Sequence, residues 1–422
     1  MNFISELKWR GMIHDIMPGT EKQFLKEMTT AYIGFDPTSD SLHIGSLVQI
    51  MILVHLQKSG HKPIALIGGA TGMVGDPSGK SKERNLLDEK ILNTNLDLVK
   101  TQLEKFLDFD CGENSAEIVN NYDWFKSFSL LDFIRDVGKH ISVNYMLAKD
   151  SVKSRLDAGI SFTEFSYQLV QGYDFYWLWK NKNCKVQLGG SDQWGNIVTG
   201  TELIRRKEGG QAFAVTSPLI KKSDGGKFGK TESGNVWLDK TKTSPYNFYQ
   251  FWLNSSDEDA KNYIKIFTLK NKKEISKLLI EHDATPHLRL LQKTIAEEIT
   301  SRVHGKKELE TAIKASSILF GKSTADDLKS LDKNTFLSIF EGVSQFKITK
   351  SDLNTEALEF LTEKTAVFTS KSEAKRMIQS NAVSVNKEKI TESFNFSTKD
   401  LLNEKYILGQ KGKKNYFLII VS

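Results

Sequence analysis

Two short apolar segments near the start of the chain each end in a turn that leads into a helical pattern, and this arrangement restricts the fold more than any other feature. Residues 30–36 alternate between apolar and polar side chains until Pro37, and residues 63–67 form an apolar run before a glycine-rich turn at 68–72. Further strand patterns at 185–188 and 212–215 alternate with helical patterns at 86–109 and 162–180. Strands that alternate with helices predict an α/β fold with a parallel sheet.

The length of 422 residues predicts two or three domains. We predict a Rossmann-like catalytic domain over residues 1–243, in which about 121–160 is a helical insertion. No strand pattern follows until the C-terminal region, so residues 244–320 are predicted to form an all-helical domain. Residues 321–353 begin with a polar stretch and are interpreted as a linker. Residues 354–422 are predicted to form a small α+β domain that begins with a helix over 355–362.

Positive charge is concentrated near the C-terminus. The formal net charge is +6, and residues 371–422 alone carry ten Lys or Arg against five Asp or Glu. A local basic surface is typical of a protein that binds a polyanion such as a nucleic acid. A solvated lysine-rich tail would give the same composition, so charge alone leaves both interpretations open.

Several classes of protein are disfavoured by the sequence. The two cysteines, Cys111 and Cys184, are too few for a disulfide framework and favour a reducing compartment. We see no signal peptide and no apolar run of membrane-spanning length, so we expect a cytoplasmic protein without a membrane partner. No His, Cys or carboxylate spacing predicts a structural metal site. Residues 79–81 resemble the end of a P-loop, but Val74 stands where that motif requires glycine.

Polar and glycine residues follow the predicted strands, at the edge where an open parallel sheet binds its ligands. Residues 43–46 (His-Ile-Gly-Ser) stand at a helix start, where the backbone favours anions and glycine allows a ligand to approach. A surface histidine beside a packing glycine is the alternative. Gly190, Asp192 and Gln193 follow another strand, where the glycine either permits a ligand contact or forms only a tight turn.

A loop with glycine hinges at residues 221–231 carries Lys227, Lys230 and Thr231. Two lysines and a hydroxyl group on such a loop suit a clamp on polyphosphate, because cations can stabilise the charge that develops in a transition state. An ordinary basic surface loop is the alternative interpretation.

The predicted helix at 162–180 carries Tyr167, Gln171 and Asp174 at a spacing that puts them on one face. A carboxylate and an amide on a mostly apolar helix are costly to bury without partners. These side chains therefore face either water or a polar pocket. The aromatic and aliphatic residues around them favour a pocket.

Together these segments resemble the bacterial-type tyrosyl-tRNA synthetases, a family of class I aminoacyl-tRNA synthetases, over essentially the whole chain. The matching motifs follow the family's order and are specific as a set. They are residues 32–38 (YIGFDPT), 43–46 (HIGS), 68–72 (GGATG), 75–79 (GDPSG), 162–167 (FTEFSY), 171–174 (QGYD), 189–196 (GGSDQWGN) and 227–231 (KFGKT). Residues from about 354 resemble an S4-like RNA-binding domain, and the helical domain before them would lie on the anticodon side.

The resemblance implies a two-step reaction with three substrates: L-tyrosine, ATP and tRNA(Tyr). Tyrosine and ATP form tyrosyl-adenylate and pyrophosphate, and the tyrosyl group then passes to the terminal adenosine of the tRNA. Tyr32 and Asp174 are implied to hydrogen-bond the phenolic hydroxyl group. Asp76, Tyr167 and Gln171 are implied to bind the α-ammonium group. Mg2+ is expected together with ATP.

The resemblance also assigns residues to ATP and to catalysis. Those implied to bind ATP are Gly34, Asp36, His43, Gly45, Gly190, Asp192 and Lys230. Gln193 is implied to lie near the reacting carboxylate of tyrosine. The implied catalytic set is His43, Lys227, Lys230, Thr231, Lys80 and Arg84, all but the first of them around the pyrophosphate. No side chain need act as nucleophile, because the substrate carboxylate attacks, so catalysis is positioning plus charge stabilisation.

Two positions depart from the family pattern. Ser46 stands in place of the second histidine of the first signature, and the second signature reads KFGKT rather than KMSKS. The nearest rival is a tryptophan-specific relative, which the pairing of Tyr32 with Asp174 disfavours. A non-catalytic RNA-binding derivative would have eroded catalytic loops, whereas both loops are retained here. The resemblance also implies a homodimer, through the insertion at about 121–160.

Overall fold

The computed structural model describes residues 2–76, 89–149, 152–153, 156, 159–226, 228–231, 234–320, 328, 331–340, 343–412 and 415–422. The chain forms two compact units. The first contains Met1–Lys242 and Ser255–Val303, and the second contains Thr243–Asn254 and His304–Ser422. The segment 244–320, predicted as one helical domain, is thus divided between the two units.

A five-stranded parallel sheet forms the centre of the first unit. Its strands are β1 (Thr30–Phe35), β2 (Lys62–Ile67), β3 (Glu117–Asn120), β4 (Cys184–Gly190) and β5 (Phe213–Ser217), in the order β3-β2-β1-β4-β5. Most positions of the four longer strands are buried, as expected for a parallel sheet that helices cover on both faces. β1 has β2 on one side and β4 on the other, so the strand order reverses there. Ligands bind beyond the carboxyl ends of the strands at such a point.

Helices surround the five-stranded sheet, and a short antiparallel hairpin of β6 (Lys230–Thr231) and β7 (Gly234–Asn235) follows β5 in the chain. The α-helices of the first unit are Phe3–Arg10, Thr20–Lys26, Ile44–Lys58, Thr71–Val74, Glu89–Leu103, Tyr122–Phe125, Leu130–Asp136, Val143–Leu147, Phe162–Lys182, Trp194–Glu208, Asp257–Phe267, Lys272–Ala284 and Leu290–His304. The last of these helices ends at the boundary between the two units. The 3-10 turns of the first unit are Gly138–His140, Ser191–Gln193 and Pro286–Leu288. The Phe162–Lys182 helix begins at Ser161, whose hydroxyl oxygen accepts a hydrogen bond from the Glu164 N–H. Its Phe175 packs in the same apolar core as Tyr32 of β1. This helix is therefore held against the sheet close to the strand ends.

The second unit combines helices with a mixed sheet. Its helices are Pro245–Leu253, Lys306–Phe320, Lys333–Ile339, Ala357–Glu359 and Lys371–Gln379, with a π-helical turn at Phe360–Lys364 and 3-10 turns at Lys350–Asp352 and Thr398–Asp400. Its strands are β8 (Ser344–Ile348), β9 (Thr355–Glu356), β10 (Val383–Val385), β11 (Glu388–Lys389), β12 (Asn395–Phe396), β13 (Tyr406–Lys411) and β14 (Asn415–Val421). The main sheet has the order β11-β10-β13-β14-β8, and β8 alone pairs in parallel; β9 pairs with β12. Among the residues described in either unit, none of the helices is both long enough and apolar enough to cross a membrane.

The α/β fold class and the four strands predicted in the first unit are confirmed, but three local features differ from the sequence interpretation. β3 is a strand that the pattern did not predict, since four residues are too few to show a clear period. β8 lies inside the segment 321–353 that was interpreted as a linker, so the C-terminal sheet begins before residue 354. A single helix was predicted over 355–362, where the chain instead forms a short strand, one helical turn and a π-helical turn.

Candidate active site

A cavity of about 330 Å³ opens at the carboxyl ends of β1 and β4 in the first unit. Twelve of the residues predicted to contact ligands line it together: Tyr32, Gly34, Asp36, His43, Gly45, Asp76, Tyr167, Gln171, Asp174, Gly190, Asp192 and Gln193. Ser46 lines it as well. These residues are far apart in the sequence and meet because parallel strands end at the same edge of a sheet.

The buried end of this cavity is formed by β1 and the Phe162–Lys182 helix. Tyr32 and Asp174 are each 1% exposed there. Both carboxyl oxygens of Asp174 accept hydrogen bonds, Oδ2 from Asn121 Nδ2 at 3.0 Å and Oδ1 from Trp124 Nε1 at 2.9 Å. The Tyr32 hydroxyl has no hydrogen-bond partner among the described residues. A buried polar group without a partner is costly, so a hydroxyl group of a ligand would supply what Tyr32 lacks.

Burial also controls the protonation of this end of the cavity. Removal from water raises the pKa of Asp174 to about 8, although the hydrogen bonds from Asn121 and Trp124 lower it. Burial, followed by the neighbouring Asp174, raises the pKa of Tyr32 well above its usual value. Both groups therefore hold their protons near neutral pH in the ligand-free chain. The end of the cavity is polar but uncharged, which suits a hydroxyl group rather than an ion.

A chain of hydrogen bonds runs from Asp174 towards the strand end that carries Asp36. Asn121 Nδ2 donates to Thr71 Oγ1 at 3.1 Å, and Thr71 Oγ1 donates to Asp36 Oδ1 at 2.7 Å. The hydroxyl of Tyr167 donates to the other oxygen, Asp36 Oδ2, at 2.8 Å. Burial, followed by Asp36, raises the pKa of Tyr167 well above its usual value. The Tyr167 hydroxyl thus stays protonated, and its oxygen can still accept a hydrogen bond from a ligand.

Two amide side chains hold polar groups of the cavity wall, Asp76 and Gln171, in place. Gln193 Nε2 donates to Asp76 Oδ2 at 2.8 Å, and Asn196 Nδ2 donates to Gln171 Oε1 at 3.0 Å. The carboxylate of Asp76 is 7% exposed. With the oxygen of Tyr167, the carboxylate and the Gln171 amide oxygen form a set of acceptors. Such a set suits a ligand group that only donates, as an ammonium group does.

The first signature lies at the more accessible end of the cavity. His43 is the N-cap of the Ile44–Lys58 helix, and its Nδ1 accepts a hydrogen bond from the Gly45 N–H at 3.0 Å. This contact makes Nε2 the N–H donor of the neutral ring. A Cβ atom on Gly45 would lie 2.7 Å from the His43 ring, so the histidine can occupy this position only beside glycine. A donor at a helix N-terminus suits a phosphate group.

The loop of the second signature is joined to the first signature by backbone hydrogen bonds. β6 (Lys230–Thr231) pairs with β7 (Gly234–Asn235) in a short antiparallel hairpin. The Val236 N–H donates to the Gly229 carbonyl at 3.0 Å, and the Ile44 N–H donates to the Val236 carbonyl at 3.0 Å. One intervening segment therefore fixes the loop backbone relative to the helix that begins after His43.

Some predicted residues cannot be placed in the same way. Lys80, Arg84 and Lys227 lie outside the described residues, and their roles stay predictions. For Lys230 and Thr231 the structure gives the backbone, which forms β6.

Three residues of the cavity network had no role in the sequence interpretation. Asn121 and Trp124 bind Asp174, and Thr71 binds Asp36. The first two follow β3, which the sequence pattern did not reveal. The only signal in the sequence was an asparagine pair, Asn120 and Asn121, after a short apolar run, which is too common to indicate a site.

Comparison with known families identifies the class of protein to which this chain belongs. The model described as "tRNA synthetases class I (W and Y)" matches residues 25–321. The model described as "Tyrosine--tRNA ligase SYY-like C-terminal domain" matches residues 335–419. The first match alone covers well over half of the chain, which therefore belongs to the class I tRNA synthetases.

Relatives that match along the whole of this chain belong to one branch of the class I tRNA synthetases. A tyrosine--tRNA ligase of Flavobacterium psychrophilum is 62% identical over 428 residues and covers 100% of this chain and 99% of its own length. One from Bacteroides fragilis is 60% identical over 429 residues, with 100% of both chains covered. A C-terminally truncated mitochondrial tyrosyl-tRNA synthetase of Aspergillus nidulans has a TM-score of 0.68 and 31% identity, over 76% of this chain and 94% of that one. The chain thus lies among the tyrosine--tRNA ligases.

The raised pKa of Asp174 predicts a specific pH dependence of stability. The carboxyl group binds its proton more tightly in the folded chain, where its pKa is about 8, than in the unfolded chain, where the ordinary value is 3.8. The contribution of Asp174 to the free energy of unfolding is therefore fully present below the unfolded pKa and is lost as the pH rises through the folded pKa. Thermal unfolding of the ligand-free protein across this window should lose stability more steeply with pH than the Asp174→Asn variant does. Parallel curves for the two proteins would contradict the assignment.

Proposed function

We propose that the chain activates L-tyrosine with ATP and then transfers the tyrosyl group to the 3′-terminal adenosine of tRNA(Tyr). The proposal rests on one observation: the chemical character of a single cavity changes from its buried end to its accessible end. Its buried end is polar and uncharged, its wall is rich in acceptors, and a histidine at a helix N-terminus stands at its accessible end. A tyrosine with its phenol at the buried end directs its carboxylate towards the end that suits phosphate.

The phenolic hydroxyl of the substrate would lie between Tyr32 and Asp174. Asn121 and Trp124 fix the Asp174 carboxyl group, and the Tyr32 hydroxyl lacks a partner among the described residues. A phenol at this position satisfies these polar groups, whereas a phenylalanine ring leaves them buried and unpaired. The cost of unpaired groups then discriminates against phenylalanine.

The α-ammonium group of tyrosine would meet Asp76, Tyr167 and Gln171. Each offers an oxygen acceptor to the cavity, and Gln193 and Asn196 hold two of these side chains in place. An ammonium group donates three hydrogen bonds, so three acceptors match it. Gln193 would stand near the carboxylate that attacks ATP.

ATP would occupy the accessible end, against Gly34, Asp36, Gly45, Gly190 and Asp192. The His43 Nε2–H would donate to a phosphate oxygen, and Lys227, Lys230 and Thr231, with Lys80 and Arg84, would hold the departing pyrophosphate. These donors act by stabilising charge as it develops on the phosphates. The substrate carboxylate attacks the α-phosphate, and the bond to pyrophosphate breaks.

Mg2+ would accompany ATP and neutralise part of the phosphate charge. The described residues contain no cluster of three or more His, Cys, Asp or Glu that could hold a metal ion by themselves. An ion held mainly by phosphate oxygens needs only one or two protein carboxylates. Asp192, exposed at the accessible end of the cavity, offers a suitable carboxylate.

Exchange of pyrophosphate into ATP tests the activation step. The wild-type chain should catalyse exchange with tyrosine and not with tryptophan or phenylalanine. Tyr32→Phe should raise the KM for tyrosine roughly 3- to 10-fold, since one neutral hydrogen bond is removed, and Lys230→Ala should lower kcat by about 100-fold or more. Tyr145→Phe removes a hydroxyl that binds the Val198 carbonyl outside the cavity, and it serves as the matched control. Exchange that depends on tryptophan, or that survives Lys230→Ala, would refute the proposal.

The second unit would bind the tRNA through its C-terminal part. The Lys371–Gln379 helix carries Lys375 and Arg376 on its exposed surface, and Lys389, Lys399 and Lys405 are exposed elsewhere in the same unit. Exposed cations of this density favour contact with phosphates. The match of residues 335–419 to a tyrosine--tRNA ligase C-terminal domain supports a role in this reaction.

Neutralising two of these cations tests the tRNA interaction. Lys375→Ala with Arg376→Ala should weaken tRNA binding, while tyrosine activation is unchanged. The slope of log Kd against log salt should fall by about one for each phosphate that the variant no longer binds. Lys22→Ala with Lys26→Ala removes the same charge from an exposed helix of the first unit and is the control. Equal salt dependence for both double variants would argue against this surface.

A homodimer would form through the helices of the segment 121–160. Leu130, Leu131 and Val143 are 68, 77 and 59% exposed on these helices, and Phe162 is 76% exposed at the start of the next one. Several strongly exposed apolar residues within one stretch of the chain favour an interaction surface. A second copy of the chain, with the same residues facing it, satisfies such a surface in the manner of most soluble oligomers.

A charge on this surface should dissociate the dimer. Leu131→Asp should shift the mass in solution from a dimer towards a monomer, because burial of an unpaired carboxylate is unfavourable. Ile280→Asp, at a residue 73% exposed on the Lys272–Ala284 helix, is the matched control and should leave the mass unchanged. Sedimentation equilibrium measures both, and a wild-type monomer would disprove the proposed interface.

A further inference from the structure

The loop that carries the second signature is docked on one helix of the first unit, Asp257–Phe267, at two separate points. The first point is near the start of the loop. The Ser223 N–H donates to Asp259 Oδ1 at 2.9 Å, and the Ser223 hydroxyl lies 3.1 Å from the hydroxyl of Ser256, the N-cap of this helix. These contacts fix the approach of the loop to the cavity.

The second point is Phe228, which follows Lys227 directly in the sequence. Its ring stacks on Phe267, with centroids 5.5 Å apart and planes at 14°, and meets the edge of Tyr263 at 5.2 Å. Tyr263 and Phe267 are 2% and 0% exposed, and Phe228 is half-buried. Ring pairs of this geometry add to the free energy gained by burial alone. Phe228 is therefore an apolar anchor inside a loop that is otherwise rich in glycine and charge.

The residues that receive the loop are spaced so that one helix face presents all of them. Asp259, Tyr263 and Phe267 stand four residues apart, and residues at this spacing lie above one another on a helix. We call these three residues the docking strip. The strip meets the loop with a carboxylate at one end and with aromatic rings at the other.

The opposite side of the loop lies against the first signature. Gly229 has a φ of +84°, and a Cβ atom there would lie 3.1 Å from Ile44, the first residue of the helix after His43. Its carbonyl belongs to the backbone connection through Val236. The packing of Phe228 therefore constrains the backbone that leads into Gly229 and Lys230.

We propose that the docking strip sets the catalytic position of the lysine loop, with Phe228 as the positioning residue. This inference rests on the proposed function, in which Lys227 and Lys230 hold the pyrophosphate. A docked Phe228 fixes the backbone that leads through Gly229 into Lys230 before ATP reacts. Without the ring contact, this part of the loop is held by fewer contacts, beside the flexible Gly229, and its placement costs more conformational entropy in every reaction cycle.

The two steps of the reaction should respond differently to a misplaced loop. Only adenylate formation involves pyrophosphate, so a misplaced loop should slow that step and spare the transfer to tRNA. Phe228→Ala should lower the rate of adenylate formation at saturating substrates roughly 10- to 100-fold, with an unchanged KM for tyrosine. Phe228→Tyr keeps the ring and should retain most of the rate. Asp259→Ala, which removes the first docking point, should act in the same direction.

Rapid-mixing measurements test this with the full-length protein, and single-turnover transfer from the isolated enzyme–adenylate complex supplies the second readout. Phe109→Ala, at a residue 37% exposed, controls for the removal of a phenyl ring elsewhere in the first unit. Equal losses in activation and transfer for Phe228→Ala would indicate general damage and overturn the proposal. Unchanged activation in Phe228→Ala, with activity abolished in Lys230→Ala, would overturn the docking strip alone. Unchanged activation in both variants would overturn the proposed role of the loop as well.

Discussion

Asp174 is a carboxyl group with 1% exposure on a mostly apolar helix, and the rest of the cavity depends on how this burial is tolerated. An isolated buried carboxylate is strongly unfavourable, so burial favours the protonated form of this group. Asn121 and Trp124 each bind one of its oxygens, yet its pKa remains about 8 because desolvation outweighs both contacts. The result is a group held rigidly in place and free of charge. That combination suits a hydroxyl group of a ligand better than an ion.

The same network ties together residues that the sequence assigned to different substrates. Asp36 was predicted to bind ATP and Tyr167 to bind the ammonium group of tyrosine, but the two are hydrogen-bonded to each other. Thr71 and Asn121 continue this connection to Asp174. The two ends of the cavity, which the sequence assigned to tyrosine and to ATP, are therefore parts of one hydrogen-bonded network. A change at any member disturbs both ends, because polar groups in a shared buried network are not energetically independent.

The sequence predicted those parts of the site that follow from local periodicity and from sheet topology. Helical spacing alone put Tyr167, Gln171 and Asp174 on one face, and parallel strands brought the residues after β1 and β4 to one edge. The partners of Asp174 were not predictable in this way. Asn121 and Trp124 follow a strand of four residues, and their importance arises only from a contact made about fifty residues later in the chain. β8 was missed for a similar reason, since its pairing partner, β14, lies at the other end of the C-terminal region.

The loop of the second signature is held by two kinds of interaction, and they differ in the free energy needed to break them. Backbone hydrogen bonds connect Gly229, Val236 and Ile44, and breaking them inside the protein leaves polar groups without partners. Phe228 is held by ring packing, and its release costs only the burial of one aromatic side chain, about 1.5–3 kcal/mol for a complete transfer to water and less for a ring already half-buried. Release of such an anchor costs less than breaking the backbone hydrogen bonds of the hairpin behind it. In the proposed reaction, pyrophosphate has to leave the cations that stabilise its formation, and an apolar anchor in the same loop would allow that release while the backbone hydrogen bonds that align the loop stay intact.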